Sequence, residues 1–362
     1  LNFRTNGCSY IKKFYILNNS EKYFYYVKFD QIFMTSYLVN VVQVVLAMIF
    51  IILLGFICTK FNFIPKKESD VMNKFIFRAA FFPLAVHLLA GRRREDLNFY
   101  PLVVGGLMSI SNYLLFSLMF LYPFKDKMDQ FLSTVFPATY INYVISGMPI
   151  FQALWEPKDE IMIPIITLSN DLFTSPIFFC LTAIYQVQKQ AKEHPDKKPS
   201  AKDTVALIFK KIFTNPILLG SLLGLLYCCT DLTLPVYLLE LLKLLGDLCL
   251  PMALFCVGAF LSEHSLISCH WLKFLVGLIL RAFIGPCFAA IYAYALRLKP
   301  RLARQCVIMA AQPTAVASYQ LSLAAGIGTG SASTLIFWTT LLTVPILIVW
   351  IEILNGLNLF VE

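Results

Sequence analysis

FPATYINYVISGMPIFQALW (residues 136–155) is apolar enough to lie within a bilayer, yet it carries Pro137, Asn142, Gly147 and Pro149 along its length. A proline inside a membrane helix removes a backbone donor and frees carbonyls, which is tolerated only where protein or a wet cavity satisfies them. A second stretch, MAAQPTAVASYQLSLAAGIG (309–328), has the same character, with Gln312, Pro313, Thr314, Ser318, Tyr319 and Gln320. If the two segments unwind and cross, their half-helix N-termini bring positive dipole ends near one point, a place that favours an anionic group. Asn142 and Gln312 then orient a ligand by amide hydrogen bonds. The plainer reading makes the prolines simple kinks and the amides glue between helices. The pairing of two such segments at equivalent places favours a site.

Working outward, the chain is 58% hydrophobic and only 14% charged over 362 residues. That apolar share exceeds the roughly 45–50% of soluble domains. Runs long enough to span about 30 Å of hydrocarbon recur, so the expected solvent is the bilayer. The formal charge of +9 comes from Lys and Arg at span ends, which marks membrane flanks rather than nucleic-acid binding. The ten cysteines have no metal-ligand or redox spacing. Residues 1–33 differ in composition and start without Met, which suggests that the natural start is Met34.

Apolar runs predict an all-α polytopic membrane protein with ten transmembrane helices, near 37–59, 71–90, 99–122, 131–154, 161–187, 211–229, 236–262, 271–296, 304–326 and 330–354. The corresponding organisation is an N-terminal tail (1–36), a five-helix repeat (37–187), a cytoplasmic loop (188–204), a second five-helix repeat (205–354) and a C-terminal tail (355–362). Features recur in order between the halves. A Gly-bearing first span (53–57, 222–226) precedes a proline-broken second span (Pro83, Pro251), and each fourth span is interrupted. Because five is odd, the copies must be inverted in topology, as in alternating-access carriers. The Lys and Arg bias of the short loops places both termini outside or in a lumen.

Four runs carry a resemblance: NYVISGMPI (142–150), AAQPTA (310–315), TNPILLG (214–220) and LPMALFCVGAFL (250–261). Together they resemble the auxin efflux carrier (PIN-like) family over about residues 37–354. The resemblance implies broken crossover helices 4 and 9 at the substrate site, an elevator-type motion, and a homodimer through helices 1, 2, 6 and 7. It maps the crossover asparagine onto Asn142, the Gly-x-Pro onto Gly147 and Pro149, and the second crossover proline onto Pro313. Ile141 departs from the plant pattern, which has proline there, and the soluble loop is shorter.

Charges within spans are costly and usually functional. Asp171, in TLSNDLFTSP beside Asn170, is a candidate proton or cation acceptor or a structural hydrogen-bonding group. Arg281 is expected to pair with Asp171 or attract an anion, or else to snorkel or brace a loop. Arg78 and Asp247 occupy related points in the repeats and are candidates for an ion pair. No nucleophile elbow, phosphate loop or zinc signature is present, so no catalytic residue, metal or cofactor is expected. The expected function is secondary transport of a small organic, anionic or amphipathic solute in contact with membrane lipid. The alternative is a non-transporting lipid or sterol sensor on the same fold. Plasma membrane and endomembrane fit equally.

Overall fold

Long apolar stretches in a low-dielectric solvent must satisfy their own backbone, which leaves helices as the local solution. The computed structural model describes residues 42–90, 94–121, 126–193, 216–230, 234–262 and 267–361, plus isolated positions 39, 123 and 232. The 1–36 tail, most of the 188–204 loop, His194 and His264 lie outside the described residues.

The helices are α1 (Val42–Lys60), α2 (Lys67–Ala90), α3 (Tyr100–Leu121), α4 (Lys127–Thr139), α5 (Gly147–Leu154), α6 (Pro157–Lys189) and α7 (Pro216–Cys229). They continue with α8 (Val236–Leu261), α9 (Trp271–Ala295), α10 (Pro300–Ala310), α11 (Ala317–Ala325), α12 (Thr329–Leu341) and α13 (Thr343–Gly356). Among the described residues, six helices are long and apolar enough to cross a membrane, or seven if α12 and α13, bent by 63°, count as one. The ten spans expected from the sequence, with the fourth and ninth broken, are therefore not all recovered as helices of full span length. The fourth and ninth runs are each split in two, and the described part of the sixth is a shorter apolar helix, Leu218–Cys229.

Glycines set how closely the helices approach. A Cβ on Gly258 would lie 1.8 Å from the Ile52 carbonyl, and one on Gly55 would lie 2.1 Å from that of Phe255, so α1 and α8 touch backbone to backbone. Gly220 and Gly224 form a small-xxx-small face on which α7 meets α2 at Phe82, Ala85 and Leu89. Outward faces carry Phe50, Leu54, Leu114, Leu226 and Leu244, all exposed, as a hydrocarbon solvent permits.

Three helices contain a π turn that the sequence reading did not anticipate: Ile76–Ala80 in α2, Asn170–Thr174 in α6 and Leu280–Ile284 in α9. Each is followed closely by a proline, Pro83, Pro176 or Pro286. Proline has no N–H for the carbonyl four residues back, so the ladder slips to a wider turn. At Pro286 the orphaned Ala282 carbonyl is claimed by the Trp350 indole of α13, whose Nε1 donates at 2.7 Å. The π turns carry Arg78, Asn170, Asp171 and Arg281.

Candidate binding site at the crossing of two broken helices

α4 stops at Thr139 and the chain resumes as α5 at Gly147; α10 stops at Ala310 and resumes as α11 at Ala317. The second stop has a local cause, since Pro313 disfavours helical geometry at Gln312. Pro149 lies in the first turn of α5, where its missing N–H would have no helical partner anyway. The unwound pieces cross as a single antiparallel β-bridge between Ile141 and Thr314. Asn142 N donates to the Pro313 carbonyl at 2.9 Å, and Ala315 N donates to the Tyr140 carbonyl at 3.0 Å.

The remaining backbone groups are satisfied by side chains from neighbouring helices, as burial demands. Asn170 Nδ2 donates to the Ile141 carbonyl at 2.8 Å, while Ile141 N donates to Asn170 Oδ1 at 3.4 Å. Thr314 N donates to Thr339 Oγ1 of α12 at 3.0 Å. Asn142 caps the following turn: its Oδ1 accepts from Ile145 N at 3.1 Å, and its carbonyl accepts from Gly147 N and Ser146 Oγ. Its Nδ2 donates no hydrogen bond among the described residues, although the residue is only 7% exposed.

Arg281, 1% exposed, stands where both first half-helices end. Its guanidinium donates to the Gln312 carbonyl at 2.7 Å, to the Ala138 carbonyl at 3.5 Å and to the Ala310 carbonyl. Helix C-termini carry roughly half a negative charge each, so two of them balance one guanidinium. The sequence reading offered Asp171, an anion, snorkelling or a loop to brace. The structure commits its donors to backbone carbonyls that the breaks leave without helical partners, a brace rather than a carboxylate pair. Arg78 and Asp247 are both exposed, and no ion pair joins them among the described residues.

Beside the bridge lies a cavity of about 50 Å³, several times the ~10–15 Å³ that one water requires. Its polar wall is Asn73, Tyr140, Asn142, Tyr143, Thr167, Asn170 and Asp171. Phe81 of α2, Ala253 of α8 and the 315–317 segment supply apolar wall, so the crossing faces α2 and α8 across the cavity. Asp171 is 2% exposed, and the Tyr140 phenol lies against its carboxylate.

Of the residues singled out from sequence, Asn142, Asn170 and Asp171 come together on this cavity. Gln312 does not line it; its Nε2 donates to the Ile308 carbonyl of α10 at 3.2 Å. Pro313 and Thr314 form the bridge itself, and Gly147 packs on Met309 and Gln312, where a Cβ would meet Met309 Cε at 2.7 Å. Pro149 is buried in α5. The side chain of Gln320 lies outside the described residues. Tyr140, Thr167 and Asn73 were missed. Tyr140 had a usable signal, because an extended break places residues two apart on one face, which pairs it with Asn142.

Comparison with known proteins agrees with this architecture. A family model described as membrane transport protein matches residues 40–351. Auxin efflux carrier component 7 of Arabidopsis thaliana is 25% identical over 169 residues, covering 45% of this chain and 27% of that carrier. Auxin efflux carrier component 8 of the same plant is 23% identical over 215 residues, covering 49% of this chain and 58% of its own length. Probable auxin efflux carrier component 5c of Oryza sativa subsp. japonica is 28% identical over 157 residues, 42% of each chain. The matched segments thus span between about a quarter and about three fifths of these carriers. With interrupted helices crossing beside a polar cavity and a family match over nearly all of its length, the chain is an integral membrane protein of the membrane transport protein family, to which auxin efflux carriers belong.

Proposed function

We propose that the chain is a secondary transporter that moves a small organic anion or amphipathic solute across a membrane by elevator-type alternating access. The observation that carries this reading is the bridge of two unwound segments beside a cavity, with Asn142 holding an uncommitted amide donor there. The N-termini of α5 and α11 begin next to the cavity-lining segments 144–145 and 315–317, and suit a carboxylate. The relatives' names refer to auxin, a carboxylate, which fits that chemistry without fixing the substrate.

In this reading the chain has ten spans in two inverted five-helix repeats. Supporting it, Gly55 of the first span packs on the seventh, and Gly224 of the sixth packs on the second, the reciprocal pairing that a repeat requires. α1, α2, α7 and α8 form the scaffold and the homodimer face. The crossing moves with α3, α6, α9, α12 and α13, carrying Asn142, Gly147, Pro149, Gln312, Pro313 and Thr314, with Asn170, Asp171 and Arg281 as polar support.

The test is flux of labelled carboxylates into proteoliposomes holding wild type or Asn142→Ala. Saturable uptake that falls at least about tenfold in the variant supports a carrier. Saturable binding without uptake would instead indicate the sensor reading.

A further inference from the structure

Four half-helix ends meet at the crossing. The C-termini of α4 and α10 are balanced by Arg281 through the Ala138, Ala310 and Gln312 carbonyls. The N-termini of α5 and α11, roughly half a positive charge each, adjoin a cavity whose one acidic lining residue is Asp171. Ionised, Asp171 gives the empty cavity an anion of its own. An entering carboxylate meets a like charge in a space of about 50 Å³, and two carboxylates sharing a site cannot both stay ionised without a large penalty.

Several elements pack around Asp171. Tyr140, from the crossing, lies against the carboxylate. Asn170, Thr174 and Ser175 come from its own helix. From α3, Ser109 and Tyr113 are engaged one turn away on Thr174. Asn73 of α2, Ala253 of α8 and the 315–317 segment face it across the cavity and bring no charge. Arg281 of α9 is committed to carbonyls, with Tyr143 beside it.

We propose that Asp171 is a proton-binding site: its carboxylate is the counter-anion of the two helix N-termini when the cavity is empty, and it takes up one proton from water as an organic anion enters. This deepens the carrier reading above and rests on it. The loaded cavity, with neutral Asp171 and a bound anion, has the same net charge as the empty one with ionised Asp171. Both halves of the transport cycle then carry equal charge across the membrane, so the net movement is an electroneutral entry of anion and proton together.

The experiment uses the full chain in nanodiscs and proteoliposomes, with indole-3-acetate and benzoate as probes. For wild type, affinity weakens between about pH 6 and about pH 8, by up to about tenfold per pH unit, because binding takes up a proton. Titration in buffers of different ionisation enthalpy reads about one proton taken up per anion. Asp171→Asn removes the slope and the proton uptake, binds both probes at pH 8 as tightly as wild type does at pH 6, and makes uptake respond to membrane potential. Asp171→Glu keeps the slope, which a purely structural role for the residue would not predict. A wild-type affinity that is flat with pH, or an unchanged slope in Asp171→Asn, overturns the proton site while leaving the carrier reading intact. If neither probe binds wild type or variant, the anion site itself is wrong and the proton site falls with it.

Discussion

Arg281 shows what a buried charge does when main-chain carbonyls answer it. Three carbonyls that no helical ladder reaches converge on one planar fork, a geometry that lysine cannot reproduce. Replacing it with Met leaves those carbonyls without a donor, at about 1–3 kcal/mol each. The thermal midpoint of purified Arg281→Met should fall sharply, and Arg281→Lys should recover only part of it; an unchanged midpoint would remove Arg281 from the brace. Asn170 is engaged differently, with both amide atoms on the Ile141 backbone. Asn170→Leu should destabilise the protein by about 2–4 kcal/mol, the cost of two buried groups left unpaired, read from denaturation in detergent. In the proposed carrier Asn142 offers its Nδ2 to the solute, so its loss should affect binding more than folding.

At the scale of elements, close backbone approach and repaired breaks are the two recurring devices. Gly258→Leu forces α1 and α8 apart, because even the Cβ would sit 1.8 Å from the Ile52 carbonyl. Size-exclusion chromatography should show loss of the monodisperse species, while Gly356→Ala, where nothing lies within 4 Å, should behave as wild type. The α9 π turn gives a coupled test. Trp350→Phe removes the donor that Pro286 cannot supply to Ala282. It should cost about 1–3 kcal/mol alone and about 1 kcal/mol less in a Pro286→Ala background, where the new N–H can take over. Strict additivity in that double-mutant cycle would show that the indole bond does not compensate the proline.

For the whole molecule, one surface cluster ties the two halves of the chain together. Arg301, at the start of α10, donates to Asp159 Oδ2 from Nε at 2.9 Å and from Nη2 at 2.6 Å, and lies 3.3 Å from Glu156. Lys158 and Arg301 hold the Glu156 carboxyl below the ordinary carboxylate range. A carboxylate depressed by folding stabilises above its unfolded pKa, and that contribution disappears as pH falls through the folded one. The stability difference between wild type and Arg301→Ala should therefore be present at neutral pH and shrink once pH drops below about 4. Exposed pairs contribute little, so the difference is small. A difference constant across that range would mean that Arg301 acts by packing alone.

Composition and periodicity were enough to identify the bilayer as solvent, because apolar runs of span length have no other solution there. The prolines and Asn142 marked the two breaks, since a missing N–H is a local property that sequence displays directly. Asn170 and Asp171 could be suspected as polar residues in an apolar run, but not assigned to the Ile141 backbone or to Tyr140, whose contacts span 29 or more residues. The partners of Arg281 were equally hidden: they are main-chain carbonyls, present in every residue, that become acceptors only where two helices stop at the same place. Which broken ends meet, which side of the crossing holds the cavity and which charge balances which dipole are long-range juxtapositions. Local preference can interrupt a helix, but only tertiary packing decides what fills the interruption.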